Sequence, residues 1–493
     1  MLNPTKNILK ASVAFALAGL LGACAVGPDY QRPSIAVGAN YKETKGWTQA
    51  MPSDTALRAD WWRSYNDPVL DRLMDALLAA NQNIAQAQAQ YRQAQALVQS
   101  ARAGFFPILN AGLSATRSGG SGSSGGSGSG LSGSGSSGST QSSLTGSVSW
   151  EPDLWGKVRR TVESSQAGVQ ASAADLAGTR LSMQSTLAQS YFQLRALDAE
   201  KRLFEQTLAA YERLLRTTQN RYQAGVAAQA DVAAARTQLE NARTQALELN
   251  WQRAQFEHAL AVLTGQAPSG FTLEPAQTVG KVPDIPLGLP SQLLERRPDV
   301  AGAERRTAQA NAQIGVAQAA WFPDLTLSGN AGLSGSQWAA WLGAPISFWS
   351  LGPALALTIF DGGARESKVA QARAAYDAQV AAYRLTVLTA LQEVENYLVQ
   401  LRVMGQEQVT QDRALAAARE SLRLTENQYK AGLIDYLSVA QVETTALSTE
   451  RSALALQSSR LVASVQLIAA LGGGWQASQP SDGQPVDSQP ANK

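Results

Sequence analysis

Residue types able to do covalent chemistry are scarce in this chain of 493 residues. There is one cysteine, Cys24, and one histidine, His258, which follows Glu257 in a stretch of helical pattern. A metal centre needs several converging ligands, and no spacing around His258 offers them. Serine is plentiful, yet none is set between a strand and a helix in the manner of a nucleophile elbow. The Gly/Ser run 118–143 lacks the Lys-Ser/Thr ending of a phosphate-binding loop. Without such a constellation the sequence reads as a non-enzyme, with no cofactor and no metal. Lys and Arg number 41 against 39 Asp and Glu, a net charge of +2, so no nucleic-acid partner is indicated. Charged residues make up 16%, below the usual share of about a quarter, which suits a chain that sits partly in lipid.

Cys24 has a chemistry of its own. Lys6 and Lys10 precede the apolar run Ala11 to Leu21, and small residues follow. That is the pattern of a secretory signal peptide, here 1–23, too short for the roughly 20 apolar residues that span a bilayer. As the only cysteine, Cys24 cannot close an internal disulfide. Leu21-Gly22-Ala23-Cys24 resembles the lipobox of bacterial lipoproteins, whose thiol takes a diacylglyceryl group and whose Cys becomes the mature N-terminus. Plain secretion with a free thiol is the alternative. Ala25 follows instead of Asp, so the resemblance implies sorting to an outer membrane. Acyl chains anchor a chain to a leaflet without making it span.

The elements behind these residues come in two copies. Gln193-Leu194-Arg195 recurs as Gln400-Leu401-Arg402, and Tyr222, Ala224 and Gly225 recur as Tyr429, Ala431 and Gly432, all 207 residues apart. Upstream, Ile84 matches Val300 and Phe106-Pro107 matches Phe322-Pro323 at an offset of 216, so nine residues are taken up between Pro107 and Gln193. The run 118–143, Gly or Ser at 23 of 26 positions, supplies that room as a solvated loop. Its counterpart, 334–352, is shorter and carries Trp338, Trp341, Phe348 and Trp349.

Each copy opens with a helix of some 22 residues, Asn83 to Gly104 and Asp299 to Ala320. Alternating segments follow: Leu109, Ala111, Leu113, Ala115 with Leu144, Gly146, Val148, Trp150, then Leu325, Leu327, Gly329, Ala331, Leu333 with Leu355, Leu357, Ile359. Period-two alternation marks strands with one apolar face, and about ten residues is the length of a tilted transmembrane strand. A soluble β-hairpin would show the same pattern. Proline-free stretches then run from Lys157 to Tyr222 and from Ala364 to Tyr429, long enough for helices of about 100 Å. The returning helices span Ala230 to Thr264 and Leu437 to Leu471. Between them lie the turns "YQAGV" and "YKAGL", where Gly225 and Gly432 suit the left-handed position that ends a helix. Helix seams rich in Ala, Gln, Ser and Thr imply packing on two sides, as in a wall. Four strands cannot close a barrel, and open edges are not tolerated in lipid, so several chains must share one.

These features resemble the TolC-type outer membrane factors, in the NodT and OprM-like lipoprotein branch, over nearly the whole mature chain. Cys24-Ala-Val-Gly-Pro28-Asp-Tyr30, Trp61-Trp62, Arg297-Pro298-Asp299, Phe322-Pro323, both Tyr-x-x-Gly turns and Leu471-Gly-Gly-Gly-Trp475 carry the resemblance. It implies a mixed α and β membrane protein, with four transmembrane strands per subunit completing a trimeric twelve-stranded barrel continuous with a long α-helical periplasmic barrel. It implies a homotrimer held in outer membrane lipid, docked to a periplasmic adaptor and an inner-membrane pump of the resistance-nodulation-division (RND) class. The function expected is the exit duct of a tripartite efflux pump for small molecules such as drugs. Type I protein secretion or metal-cation efflux through the same duct are alternatives. A structural coiled-coil lipoprotein that transports nothing is another, although it would not need the two amphipathic hairpins.

The domain division expected is a signal peptide, 1–23, and a lipidated arm with a first equatorial segment, 24–82. A first repeat, 83–290, contains a β-hairpin, 106–153, and a helical hairpin, 157–264. A second repeat, 291–471, contains 322–361 and 364–471 likewise. A disordered tail, 472–493, closes the chain. By the same resemblance Arg221, Tyr222 and Gly225, with Tyr429, Lys430 and Gly432, meet the adaptor, although the glycines by themselves can serve only to make the turn. The family ties an Asp after the first turn to a Tyr before the second, positions matching Asp231 and Tyr429. A neighbouring Arg lock appears as Ile434, and the acidic ring positions as neutral Ser438 and Gln441. Leu437 is left as an apolar ring closing the pore by dewetting, or else as seam packing.

Overall fold

The computed structural model describes residues 25–36, 38, 40–45, 60–118, 139–276, 279–285, 297–335 and 346–473. Cys24, the signal peptide, most of the Gly/Ser run and the tail from 474 lie outside the described residues. After a short turn at Trp61–Tyr65, helices α1 (Pro68–Ala80) and α2 (Gln82–Ala103) lead into strands β1 (Ile108–Ser118) and β2 (Ser139–Trp150). Helices α3 (Lys157–Gln223) and α4 (Gln229–Leu263) complete the first copy. The second runs α5 (Pro298–Ala319), β3 (Asp324–Gly335), β4 (Ile346–Ala356), α6 (Ala364–Lys430) and α7 (Tyr436–Ala470). Its helices match the first copy's in length: 22 residues for α2 and α5, 67 for α3 and α6, 35 for α4 and α7. The offset changes between the paired strands, where the first copy carries the longer connection.

The chain divides into two compact units. One comprises residues up to 33, 93–169 and 305–380, and holds an antiparallel sheet in the order β1-β2-β3-β4. Register puts Leu109 opposite Val148, Leu113 opposite Leu144, Leu144 opposite Leu333, and Gly329 opposite Leu351. Directly opposed residues share a face, so Leu, Val, Ala and Trp349 make one continuous apolar face. The other face carries Asn110, Ser114, Thr145, Ser147, Thr326, Ser328 and Asn330. Both edges, β1 and β4, are open within the chain.

Two boundaries differ from the sequence reading. Strand β2 begins at Ser139, inside the run read as loop, because its first residues pair with Ser118, Arg117 and Thr116 through backbone groups that need no apolar side chain. Strand β4 begins at Ile346 and ends at Ala356, so Phe348 and Trp349 belong to the strand, whereas Leu357 and Ile359 lie beyond it.

The same unit seats the N-terminal arm. The buried Arg160 guanidinium donates to the carbonyls of Val26 and Gly27, at 3.2 Å each, and to Asp29 at 2.9 Å. Asn311 donates to the Pro28 carbonyl at 2.9 Å. Gly27 has φ +108° and lies so close to Gly315 that a Cβ there would come within 2.5 Å of the Gly315 Cα. The residues that follow Cys24 are thus locked to the start of α3 and to α5.

The second unit comprises 34–92, 170–304 and the chain from 381. Its main core gathers Trp61, Trp62, Leu70, Met74 and Leu77 with Tyr191, Phe192, Val394, Leu398, Leu461, Val465 and Ile468. Helix α7 is apolar enough in composition to cross a membrane. Its apolar residues Leu461, Val465, Leu467 and Ile468 are instead buried in this core. A carboxylate network, with Asp198 between Arg195 at 3.0 Å and Arg253 at 2.8 Å, ties α3 to α4. His258 is exposed, and Glu257 is engaged by Arg253 and by the Leu273 amide. Among the described residues no three His, Cys, Asp or Glu side chains gather as a metal site.

Candidate functional site at the helical tips

The two turns close identically. After α3, Gly225 N–H donates to the Tyr222 carbonyl and Val226 N–H to that of Arg221, both at 2.9 Å. After α6, Gly432 N–H donates to Tyr429 and Leu433 N–H to Gln428, both at 3.0 Å. This paired pattern satisfies the last carbonyls of a helix and requires a left-handed residue, supplied by Gly225 at φ +75° and Gly432 at φ +77°. A Cβ at Gly225 would meet no atom within 4 Å, so glycine is required there for conformation and not for space.

Each returning helix is capped by an aspartate, Asp231 within the first turn of α4 and Asp435 just before α7. Asp231 accepts from the Ala228 amide at 3.1 Å, and Asp435 from the Ser438 amide at 3.0 Å and its hydroxyl at 2.6 Å. The Ser438 hydroxyl, with the backbone bond behind it, holds the Asp435 carboxyl below its ordinary value. The tie read between Asp231 and Tyr429 is not made: Asp231 is spent on capping α4. Tyr429 finds another partner, the Thr218 hydroxyl of α3 at 2.9 Å. Thr218 gives its one proton to the Leu214 carbonyl at 3.0 Å, so the Tyr429 hydroxyl is the donor.

Arg221 completes a latch between the hairpins. Its Nη1 donates to the Tyr429 carbonyl at 2.8 Å, and its guanidinium carbon lies 4.6 Å from the centre of the Tyr429 ring. That carbonyl belongs to the last turn of α6, where a helix favours a cation. Tyr429 is 3% exposed and packs with Ala235, Tyr436 and Val439, with Ile434 against them. Buried this way it is unavailable as a docking surface, and Ile434 adds to the apolar cluster where the family would place an Arg. Thr218 was not legible in the sequence, because a threonine bonding back within a helix looks like any other.

Exposed at the tips are Tyr222, Val226 and Leu433, together with Ala224, Ala431, Lys430 and both glycines. Lys430 pairs with Glu426 at 3.5 Å. Leu437 and Gln441 are also exposed within the chain, and Leu437, at 68%, is not seam packing inside it.

A membrane-length sheet with one apolar face and helices of 67 residues define the chain as an outer membrane channel protein. It belongs to the outer membrane efflux protein family, whose model matches residues 73–266 and 289–473. It is 30% identical over 473 residues, 96% of both chains, to the probable efflux pump outer membrane protein TtgC of Pseudomonas putida. It is 32% identical over 466 residues to the pyoverdine export outer membrane protein OpmQ of Pseudomonas aeruginosa, covering 93% of this chain and 95% of that one. The solved outer-membrane channel OprN superposes with a TM-score of 0.81 at 30% identity, over 92% of this chain and 100% of that one. The expected fold class, outer membrane location and efflux role agree with these likenesses.

Proposed function

We propose that three copies of this outer membrane efflux protein form the exit duct of a tripartite pump for small molecules. The observation that carries the reading is the four-stranded sheet, apolar on one face and open at both edges. Lipid does not tolerate open edges, and an antiparallel order of four strands lets β4 of one copy continue into β1 of the next. Three copies give an even, twelve-stranded barrel. The paired 67- and 35-residue helices then wall a periplasmic conduit. Cys24, acylated once residues 1–23 are removed, adds a lipid anchor just before the arm residues Val26, Gly27 and Asp29 that Arg160 holds.

The tips are read as the end that meets a periplasmic adaptor and, through it, an inner-membrane RND pump. Tyr222, Lys430 and the turns made by Gly225 and Gly432 form the docking surface, whereas Arg221 and Tyr429 act inside the chain as the latch. Leu437 and Gln441 face the closing pore. Ala224 and Ala431 are exposed and do not carry the left-handed conformation, so Trp at both sites leaves the turns intact. The double variant Ala224→Trp, Ala431→Trp is expected to inserted normally as trimers while efflux of a fluorescent pump substrate falls to the level of cells lacking the protein. Unchanged efflux in cells with normal trimers would limit the two turns to folding.

A further inference from the structure

Glu443 lies two turns into α7 and is 6% exposed. Its Oε2 is buried without a hydrogen-bond partner. Unpaired buried charge is costly, and such a group either finds a cation or stays neutral. No ion pair to Glu443 exists among the described residues. The groups that face it are Tyr211 from α3, Glu426 from α6 and Tyr436 from α7 itself. From α4 comes the neutral Gln238, whose amide donates to the Tyr211 hydroxyl at 3.2 Å and to the Thr444 hydroxyl at 2.8 Å. Asp231, nearer the start of α4, acts on Tyr436. All of these are acidic or neutral.

Burial first, and the like charge of Glu426 second, raise the Glu443 carboxyl from its ordinary 4.5 to about 8. Packed, the site therefore holds a proton that the unpacked glutamate gives up.

We infer that Glu443 is a proton-operated element of the tip: neutral, it lets α7 pack against α3 and α6, and its ionisation loosens that packing. This rests on the reading of the tips as the gated end of the duct. The sign follows from proton uptake. The packed form binds more protons between the two values, so its stability falls as pH rises from about 4.5 to about 8 and is level above that. One proton coupled to opening changes the open-to-closed ratio by up to about tenfold per pH unit within this window.

The test is single-channel recording of the purified full-length protein in planar bilayers from pH 5 to 9, wild type against Glu443→Gln. Open probability should climb with pH in the wild type, level off above 8, and stay flat in Glu443→Gln. Glu426→Gln, which removes the like charge, should move the wild-type midpoint down and keeps the test available if Glu443→Gln does not assemble. Channels whose pH response survives Glu443→Gln, or does not move with Glu426→Gln, would overturn the inference and leave the duct reading standing. Absence of conductance at every pH would instead strike the duct reading. In that case the pH dependence of unfolding by denaturant decides: a wild-type decline from pH 5 to 8 that Glu443→Gln lacks supports the proton-operated packing, and parallel curves refute it.

Discussion

Arg221→Ala is expected to shift the open-to-closed ratio of the reconstituted channel toward open by about tenfold. The side chain contributes a charged hydrogen bond to the Tyr429 carbonyl and a cation over the Tyr429 ring. Half-buried contacts of these kinds are worth about 1–2 kcal/mol together, which is the size of a tenfold shift. Among the described residues Arg221 is the one side chain that bonds from the end of α3 to the backbone of the second tip, so its loss removes one of the two ties between α6 and α3 there. Tyr429→Phe and Thr218→Val each remove the other strand of the latch, a single hydrogen bond at 2.9 Å. Because both delete the same bond, their effects should match and should not add in the double variant. Asp231→Ala weakens the start of α4 and should leave the ratio nearly unchanged. If Asp231→Ala instead opens the channel as far as Tyr429→Phe does, the Asp–Tyr tie of the family governs the pore and the latch described here does not.

Leu113→Arg is expected to remove assembled protein from the outer membrane, whereas Ser114→Arg is expected to leave assembly intact. Leu113 is the middle residue of β1 and sits on the apolar face opposite Leu144. An Arg facing lipid at mid-depth costs about 2–4 kcal/mol in a barrel, repeated in every copy. Ser114 points to the other face, where its hydroxyl meets that of Ser143 at 2.8 Å. A charge there lines the pore and should bias conductance toward anions. Semi-native electrophoresis of outer membrane extracts compares the two variants. Equal assembly of both would remove the lipid-facing assignment of this face.

How much of this was legible in the sequence depends on which forces set each feature. Helix ends were legible because local chemistry fixes them: proline is absent between Lys157 and Gln223, and Gly225 and Gly432 are the residues that accept a left-handed turn. Apolar faces of β1 to β3 were legible as Leu, Val, Ala, Gly and Trp at alternate positions. The start of β4 was hidden because Phe348 and Trp349 are adjacent aromatics on opposite faces, which blurs the alternation. Pairing of Ser139 to Ser143 was hidden because it is set by backbone register without any apolar side chain. The latch was the hardest to see. Tyr429 bonds Thr218 of α3, while Asp231 is taken by the Ala228 amide, and neither choice is written in the local sequence. Arg221 looked free for a partner protein because its contact is 208 residues away in the chain. Glu443 gave no signal at all, since its burial comes from three other helices.

Native mass spectrometry of the protein extracted from outer membranes tests most directly whether three chains make one channel. The expected spectrum is a single assembly with the mass of three mature chains, stable in mild detergent and lost in the Leu113→Arg variant. A folded, membrane-extracted monomer or dimer would contradict it, because one or two open sheets would then have to remain in lipid with their edges unpaired.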